Sequence, residues 1–279
     1  MALSFATRRN QNVIPGAGAS LALSMCAVTC IVIVPLAAIV LSMRGLSASD
    51  LWHLATSSRA LDSYRVTFGS ALIAAAIDAV VGLGIAWVLV RYRFFAQRVL
   101  DLAIDIPFAL PTAVAGIALA TLYSDNGWLG SIAASHGIHV AFTPLGIVIA
   151  MVFVGLPFAV RTVSSVLAEL PPELDEAAET LGSQQPYTFL RVTLPMIFPA
   201  VLVGFSMALA RGIGEYGSVI FIAGNLPHKT EITAILIITR LEEYDYQGAT
   251  ALAAVMLAVS FALIFIINVL QRRARWPSL

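Results

Sequence analysis

Three ionisable side chains lie within otherwise apolar runs of this sequence. Asp78 is near the centre of one run, and Arg211 and Glu215 lie in a later run, four residues apart on one face of a helix. An ionised side chain at the centre of a membrane helix costs roughly 2.5–3.5 kcal/mol on insertion scales, so all three are expected to face the protein interior, a partner chain or water. They are the candidates for a translocation pathway or for helix packing.

Two interpretations of Arg211 stay open at this level. Its positive charge can attract an anion in a pathway by charge-assisted hydrogen bonds, or it can form a structural ion pair with Glu215 or Asp78. Asp78 is expected to be a buried carboxyl. A proton-relay role for Asp78 would indicate a secondary transporter, but inverted repeats are not evident in the sequence.

Other residues that often carry chemistry do not form a site here. The four histidines, His53, His136, His139 and His228, are not spaced like metal ligands, and Cys26 and Cys30 share one apolar run. The segment Gly224–Thr230 resembles a phosphate-binding loop, but His228 stands at the position of the required glycine. We therefore predict no catalytic residue, no metal site and no cofactor in this chain.

The composition indicates an integral membrane protein. Of the 279 residues 59% are hydrophobic and 11% are charged, and mean hydropathy is +0.89. Apolar runs long enough to span a bilayer cover residues 19–43, 66–90, 102–123, 143–168, 196–223 and 249–270. The sequence predicts an all-α, polytopic bundle of six transmembrane helices. Its single lysine, Lys229, and zero net charge argue against nucleic-acid binding.

The distribution of basic residues predicts the orientation. With the N-terminus in the cytoplasm, ten arginines lie inside and five basic residues lie outside, so both termini are expected in the cytoplasm. We divide the chain into an N-terminal tail, residues 1–18, a membrane domain, residues 19–270, and a C-terminal tail, residues 271–279. The polar loop 169–195 within the membrane domain is then cytoplasmic.

This loop carries helix signals of its own. Pro171 and Pro172 suit a helix start, and the acids from Glu173 to Glu179 complement the positive end of a helix dipole. Gly182 is predicted to end the helix as a left-handed C-cap residue. Leu174, Ala177, Ala178 and Leu181 would give this helix a small apolar face.

The spacing within the loop resembles a known motif. Glu176-Ala177-Ala178, Gly182 after three residues, and Val192-x-Leu194-Pro195 after nine more are similar to the EAA motif of binding-protein-dependent ATP-binding-cassette (ABC) importer permeases, with valine in place of isoleucine. The resemblance implies that the loop is a coupling helix held in a groove of a cytoplasmic ATPase. The implied ATPase-coupling residues are Glu176, Ala177, Ala178, Gly182, Leu194 and Pro195.

Two further segments narrow the resemblance. Residues 106–117, IPFALPTAVAGI, are similar to sulfate and molybdate permeases, and residues 214–225, GEYGSVIFIAGN, to the CysT (CysU) family of sulfate/thiosulfate permease subunits. This implies an inner-membrane importer with a second, CysW-like permease, a homodimeric CysA-like ATPase that uses ATP and Mg, and a periplasmic sulfate-binding protein. A molybdate or tungstate permease is the alternative within the family, and a secondary anion transporter is the alternative outside it.

Overall fold

A computed structural model describes residues 17–43, 47–171 and 173–274, and these residues form helices and turns without a β-strand. Residues 1–16 and 275–279 of the predicted tails, residues 44–46 and Pro172 lie outside the described part. The helices are α1 Gly18–Ser42, α2 Ala48–Ala55, α3 Ser58–Arg91, α4 Gln97–Ala109, α5 Thr112–Tyr123, α6 Trp128–Ser135, α7 Pro144–Glu169, α8 Glu173–Thr180, α9 Gln185–Ile213, α10 Gly217–Ala223, α11 Thr233–Glu242 and α12 Tyr246–Ala274.

Within the described residues, five helices are long and apolar enough to cross a membrane, and there are six if the bent pair α4 and α5 counts as one span. The chain divides into two compact units, residues 1–47 and residues 48–279. The described part of the first unit consists mainly of α1, which contains one turn of π-helix at Thr29–Ile33. The polytopic all-α prediction is confirmed.

The core of the second unit is made by α3, α7 and α9, which pack along one another. Small residues permit this close approach. A Cβ atom added at Gly82 of α3 would lie 2.8 Å from the Cβ of Ala159 in α7, and one added at Gly204 of α9 would lie 3.0 Å from the Cα of Ala159. Close packing of small residues is a common way to associate helices in lipid, where there is little hydrophobic driving force between them.

The third predicted run, residues 102–123, is not one straight helix. The chain bends by 115° between α4 and α5. Leu110 precedes Pro111 and is extended, with φ −85° and ψ 135°, because a proline disfavours the helical conformation of the residue before it. The two arms pack on different partners, α4 on α7 and α5 on α10.

The fifth predicted run, residues 196–223, has different boundaries in the structure. Helix α9 begins at Gln185, inside the predicted loop, and ends at Ile213. It continues through Pro195, and a π-helical turn at Phe189–Thr193 ends two residues before that proline, where the regular hydrogen-bond ladder is interrupted. Gly214 caps α9, and the residues after it form the separate helix α10.

The other runs agree with the structure, with shifted ends. Helix α3 covers the run 66–90 and begins earlier, at Ser58, where the side chain of Ser57 accepts a hydrogen bond from the backbone of Ala60. Helices α7 and α12 cover the runs 143–168 and 249–270.

Candidate functional site

The predicted helix in the polar loop is present as α8. Three acidic residues, Glu173, Asp175 and Glu176, lie in its first turn, where they complement the helix dipole. Gly182 has a φ of +80°, so it adopts the left-handed conformation that was predicted for it. The backbone N–H of Gly182 donates to Glu179 at 2.9 Å, and the N–H of Ser183 donates to Ala178 at 3.0 Å. These bonds close the C-terminus of α8.

Most of the motif residues lie on the surface of the chain. Glu176, Ala177 and Gly182 are exposed, Ala178 is half-buried, and the neighbouring Leu181 keeps 88% of its surface exposed. The predicted apolar face of α8 therefore points outward and is free to contact another protein. Leu194 and Pro195 are half-buried within α9 and do not share this surface.

Asp175 ties α8 to the two membrane helices beside it. One of its oxygens lies 3.3 Å from Nη2 of Arg91 at the end of α3, and the other accepts a hydrogen bond from Thr193 Oγ1 in α9, also at 3.3 Å. Between α3, α8 and the start of α9 lies a cleft of about 210 Å³, lined also by Glu176 and Glu179. The motif itself does not include Arg91 or Asp175, so sequence reasoning missed this contact.

The structure brings Arg211 and Glu215 together. Their closest side-chain atoms are 2.6 Å apart, and the Glu215 side chain is only 1% exposed, compared with 30% for Arg211. The other Glu215 oxygen accepts hydrogen bonds from both the backbone N–H and the hydroxyl of Ser218, each at 2.8 Å. Glu215 therefore joins the end of α9 to the first turn of α10.

Helix α10 is held closely against α5 by glycine. A Cβ atom added at Gly116 of α5 would lie 2.5 Å from the backbone oxygen of Ser218, and one added at Gly217 would collide with the hydroxyl of Thr112. The buried Glu215 cluster and the bent pair α4–α5 are therefore parts of one packed region.

Asp78 is fully buried at the meeting of α3, α7 and α9. Its carboxyl lies over Gly155, where an added Cβ would meet both Asp78 Oδ2 and, at 3.3 Å, the Cβ of Ala208. Neither oxygen of Asp78 has a hydrogen-bond partner among the described residues. Arg211 pairs with Glu215, and the structure records no ion pair between Arg211 and Asp78 within the described ranges.

A third buried acid, Glu231, was not singled out from the sequence. Glu231, before α11, is 1% exposed in its side chain and accepts two hydrogen bonds from Arg59 at the start of α3, at 2.7 and 2.8 Å. Beside it, the hydroxyls of Ser63 and Thr67 both contact that of Thr233, at 3.2 and 3.0 Å. Arg59 and Glu231 are 172 positions apart, and no local pattern links them.

Arg161 of α7 forms two further ion pairs that were not predicted from the sequence. Its guanidinium contacts Asp101 and Asp105, one helical turn apart on α4, each at 2.6 Å at the closest. A cavity of about 550 Å³ adjoins this group and is lined by Asp101, Arg161 and the neighbouring Arg98. The i, i+4 spacing of the two aspartates was the available sequence signal, although it does not identify their partner.

These features define a polytopic membrane protein in which the buried acids Glu215 and Glu231 are paired with arginines at the ends of its helices, and in which the short helix α8 is exposed. Residues 78–276 match the family described as "Binding-protein-dependent transport system inner membrane component". The chain belongs to this family of multi-pass inner-membrane permeases, as the motif in the polar loop predicted.

Relatives match over most of the chain. It is 46% identical over 264 residues, 95% of both chains, to the sulfate transport system permease protein CysT of Escherichia coli K12. It is 49% identical over 250 residues to the protein of the same name from Synechococcus elongatus, covering 90% of this chain and 89% of the relative.

Solved structures share the fold at low sequence identity. A chain of a bacterial ABC transporter involved in the import of the acidic polysaccharide alginate matches with a TM-score of 0.75 and 15% identity, over 93% of this chain and 96% of the other. A chain of the MetNI methionine ABC transporter, in an inward-facing conformation, matches with a TM-score of 0.58 and 14% identity, over 83% and 100%.

Proposed function

We propose that this chain is the permease subunit of an ATP-driven importer that moves sulfate or thiosulfate across the bacterial inner membrane. The observation that carries the proposal is the identity of 46% to the Escherichia coli sulfate permease protein over 95% of both chains. The aligned region includes the membrane helices as well as the EAA loop. The similarity to the sulfate permease therefore extends over nearly the whole membrane domain and is not limited to the coupling motif.

The proposed orientation places α8 and both termini in the cytoplasm. The ion pair between Arg91 and Asp175 puts α8 at the same end as the C-terminus of α3. That end also carries Arg93 and Arg98, which are exposed. Cytoplasmic ends of membrane helices are enriched in arginine and lysine, which supports this orientation.

In this proposal the energy comes from a partner. A CysA-like ATPase homodimer binds ATP and Mg, and the exposed face of α8, with Ala177 and Leu181, lies in its groove. The two exposed acids in the first turn of α8, Glu173 and Glu176, suit a groove with a basic rim. ATP binding closes the ATPase, α8 moves with it, and the bundle opens outward, while this chain itself hydrolyses nothing.

Two further partners complete the proposed assembly. A CysW-like permease forms the other half of the pathway, and a periplasmic binding protein delivers the anion. An alginate transporter chain of similar fold was solved in complex with a pentasaccharide-bound periplasmic protein, which supports the same kind of delivery here. The TM-score between that alginate transporter chain and this chain is 0.73.

For Arg211, Glu215 and Asp78 we propose helix-packing roles. Glu215 is buried, so its charge needs the positive partner that Arg211 supplies at 2.6 Å. The Arg211–Glu215 pair as a whole carries no net charge, which weakens its attraction for an anion. If Arg211 nevertheless faces the pathway, Arg211→Ala will reduce sulfate uptake by a complex that assembles normally, whereas the packing role predicts that uptake falls only in proportion to assembly.

The proposed substrate is tested by uptake of radiolabelled sulfate into vesicles that contain the assembled complex. We expect uptake that requires ATP and is suppressed by excess unlabelled thiosulfate. Suppression by molybdate or tungstate, with none by thiosulfate, would favour the molybdate permease instead. Uptake that follows an ion gradient without ATP would indicate a secondary transporter and would contradict the proposal.

A further inference from the structure

Helix α8 is joined by the chain to only two of the membrane helices. It follows α7 and precedes α9, whereas α3, which packs along both of them, ends at Arg91 and has no chain connection to α8. Any displacement of α8 reaches α3 only through non-covalent contacts. The ion pair between Arg91 and Asp175 is one of these contacts.

The side chain of Arg91 is held in place from several sides. It is 16% exposed, its Nη2 lies 3.3 Å from Asp175, and its guanidinium carbon lies 5.8 Å from the centre of the Trp87 ring. That ring packs edge-on against Phe189 of α9, with centroids 4.8 Å apart. Cation–π and aromatic edge contacts of this kind fix orientation as well as adding attraction.

Asp175 bridges the neighbouring helices in turn. Its second oxygen accepts a hydrogen bond from Thr193, a residue that is only 3% exposed. A single carboxylate on α8 thus contacts the end of α3 and the start of α9. We call the group Trp87, Arg91, Asp175, Phe189 and Thr193 the α3–α8 latch.

A partly exposed ion pair such as this contributes little to folding. Its geometry is better suited to fixing the direction of α8 relative to α3. Asp175 is half-buried against Arg91 and Thr193, whereas Ala177 and Leu181 are exposed, so a partner can contact these two residues while the latch stays closed. Since α3 also carries the buried Asp78, motion passed to α3 reaches the centre of the bundle.

We propose that Arg91 and Asp175 are positioning residues that make α3 move together with α8, so that displacement of α8 by the ATPase opens the bundle as a unit. This inference rests on the proposed function of α8 as a coupling helix. It assigns Arg91 and Asp175 a role in passing motion from α8 to α3. Asp175 lies in the polar loop and Arg91 at the end of α3, and neither residue belongs to the EAA motif.

The first test is a double-mutant cycle in the complex with its ATPase and binding protein. Arg91→Gln and Asp175→Asn are each expected to lower the stimulation of ATP hydrolysis by loaded binding protein about three- to tenfold, within the range by which residues along a coupling route act. The basal hydrolysis rate and the amount of bound ATPase should stay unchanged. The double variant should lose no more than the worse single variant, because the two residues act as one contact.

The matched control is Arg93→Gln, which removes an exposed arginine two residues beyond Arg91 and should leave stimulation as in the unmodified complex. Stimulation that is unchanged in Arg91→Gln and Asp175→Asn overturns the proposal. So do losses that multiply in the double variant, because the two side chains would then act independently.

The second test measures the latch without any substrate. Spin labels on cysteines introduced at Thr180 of α8 and at Arg93 beyond α3, in a Cys26→Ala, Cys30→Ala background, report the distance between the two helices. With the latch intact we expect one narrow distance that ATP binding does not change, and with Asp175→Asn a broader distribution. A distance that shifts on ATP binding with the latch intact overturns the proposal.

The two proposals fail in different ways. If the unmodified complex shows no ATP-dependent sulfate uptake, the proposed function is wrong, while the spin-label distance in the permease still reports whether the latch holds α8 to α3. If uptake and stimulation are normal in all latch variants, the proposed function stands and the latch proposal is wrong.

Discussion

The two ends of α3 are both held by ion pairs, but in different ways. At one end Arg59 makes two hydrogen bonds to Glu231 at 2.7 and 2.8 Å, and the Glu231 side chain is 1% exposed. At the other end, roughly 50 Å away along the 34 residues of the helix, Arg91 makes one contact of 3.3 Å to Asp175, which is 34% exposed. The ion pair at the Arg59 end has a buried carboxylate and two hydrogen bonds, whereas the ion pair at the Arg91 end is partly solvated and has a single contact.

The Arg59 pair fixes its end of α3 in the core, whereas the Arg91 pair sets the direction of α8 relative to the other end. A buried acid without its partner is strongly unfavourable, so the Arg59 end has little freedom. A partly solvated pair adds little to folding stability, so the Arg91 end is not anchored in the core and can move together with α8 while the contact stays closed. The comparison predicts a large loss of stability when the partner of Glu231 is removed and a small one at Asp175. By the same reasoning a large loss is expected at Glu215, which is also 1% exposed and paired with an arginine.

The largest effect is expected for Arg59→Leu. This change leaves the buried carboxylate of Glu231 without its partner, and removing one member of a buried pair costs about 3–5 kcal/mol. Thermal unfolding of the purified permease in detergent should show a clearly lower midpoint. Arg65→Leu is the control, because the Arg65 side chain is 78% exposed and its removal should change little. Equal midpoints for the two variants would refute the rigid character of this end.

Next in size is Glu215→Ala. It removes the acceptor of the Ser218 N–H and hydroxyl and the partner of Arg211, and hydrogen bonds to charged groups contribute about 1.5–3 kcal/mol. Glu215→Gln retains an acceptor oxygen and should lose less stability in the same unfolding measurement. A loss as large as that of the alanine variant would mean that the ion pair with Arg211, and not the hydrogen bonds from Ser218, provides the stabilisation.

A smaller loss is expected for Gly116→Ala. The new methyl group would lie 2.5 Å from the backbone oxygen of Ser218, so α5 and α10 must separate, and such overpacking costs about 1–3 kcal/mol. Gly69→Ala is the matched control, since an added Cβ there meets nothing within 4 Å, and alanine should favour the helix by up to about 1 kcal/mol. Opposite signs in the two unfolding midpoints are expected, and a shared sign would contradict the packing argument.

The smallest stability effect is expected for Asp175→Asn. A partly exposed pair contributes about 0.2–1 kcal/mol, so the unfolding midpoint should change little. If this variant unfolds as readily as Arg59→Leu, the two ends of α3 do not differ in the way described here.

Much of the fold follows from the sequence. Hydropathy places α1, α3, α7 and α12, because about 20 apolar residues in lipid satisfy their backbone only as a helix. The acids and Gly182 place α8, since caps act locally. The spacing of Arg211 and Glu215 allowed an ion pair between them as one of the interpretations left open, and the structure contains this pair, with Glu215 beyond the end of α9 and also in contact with Ser218.

What the sequence did not reveal depends on tertiary contacts. The bend at Pro111 and the break after Gly214 both interrupt runs whose hydropathy is continuous, and hydropathy does not report direction. The pairs of Arg59 with Glu231 and of Arg161 with Asp105 join residues 172 and 56 positions apart. Local patterns extend over a few residues and carry no information about such contacts.

The central claim is that ATP hydrolysis on a partner drives anion import through α8. The most direct measurement is ATP-dependent uptake of radiolabelled sulfate by the reconstituted complex with Gly182→Arg or Glu176→Lys. Gly182→Arg places a side chain at a φ of +80°, and Glu176→Lys reverses a charge in the exposed first turn of α8. We predict that both variants insert normally and lose uptake, while Arg93→Gln retains it. Undiminished uptake in both, or uptake without ATP, would contradict the account.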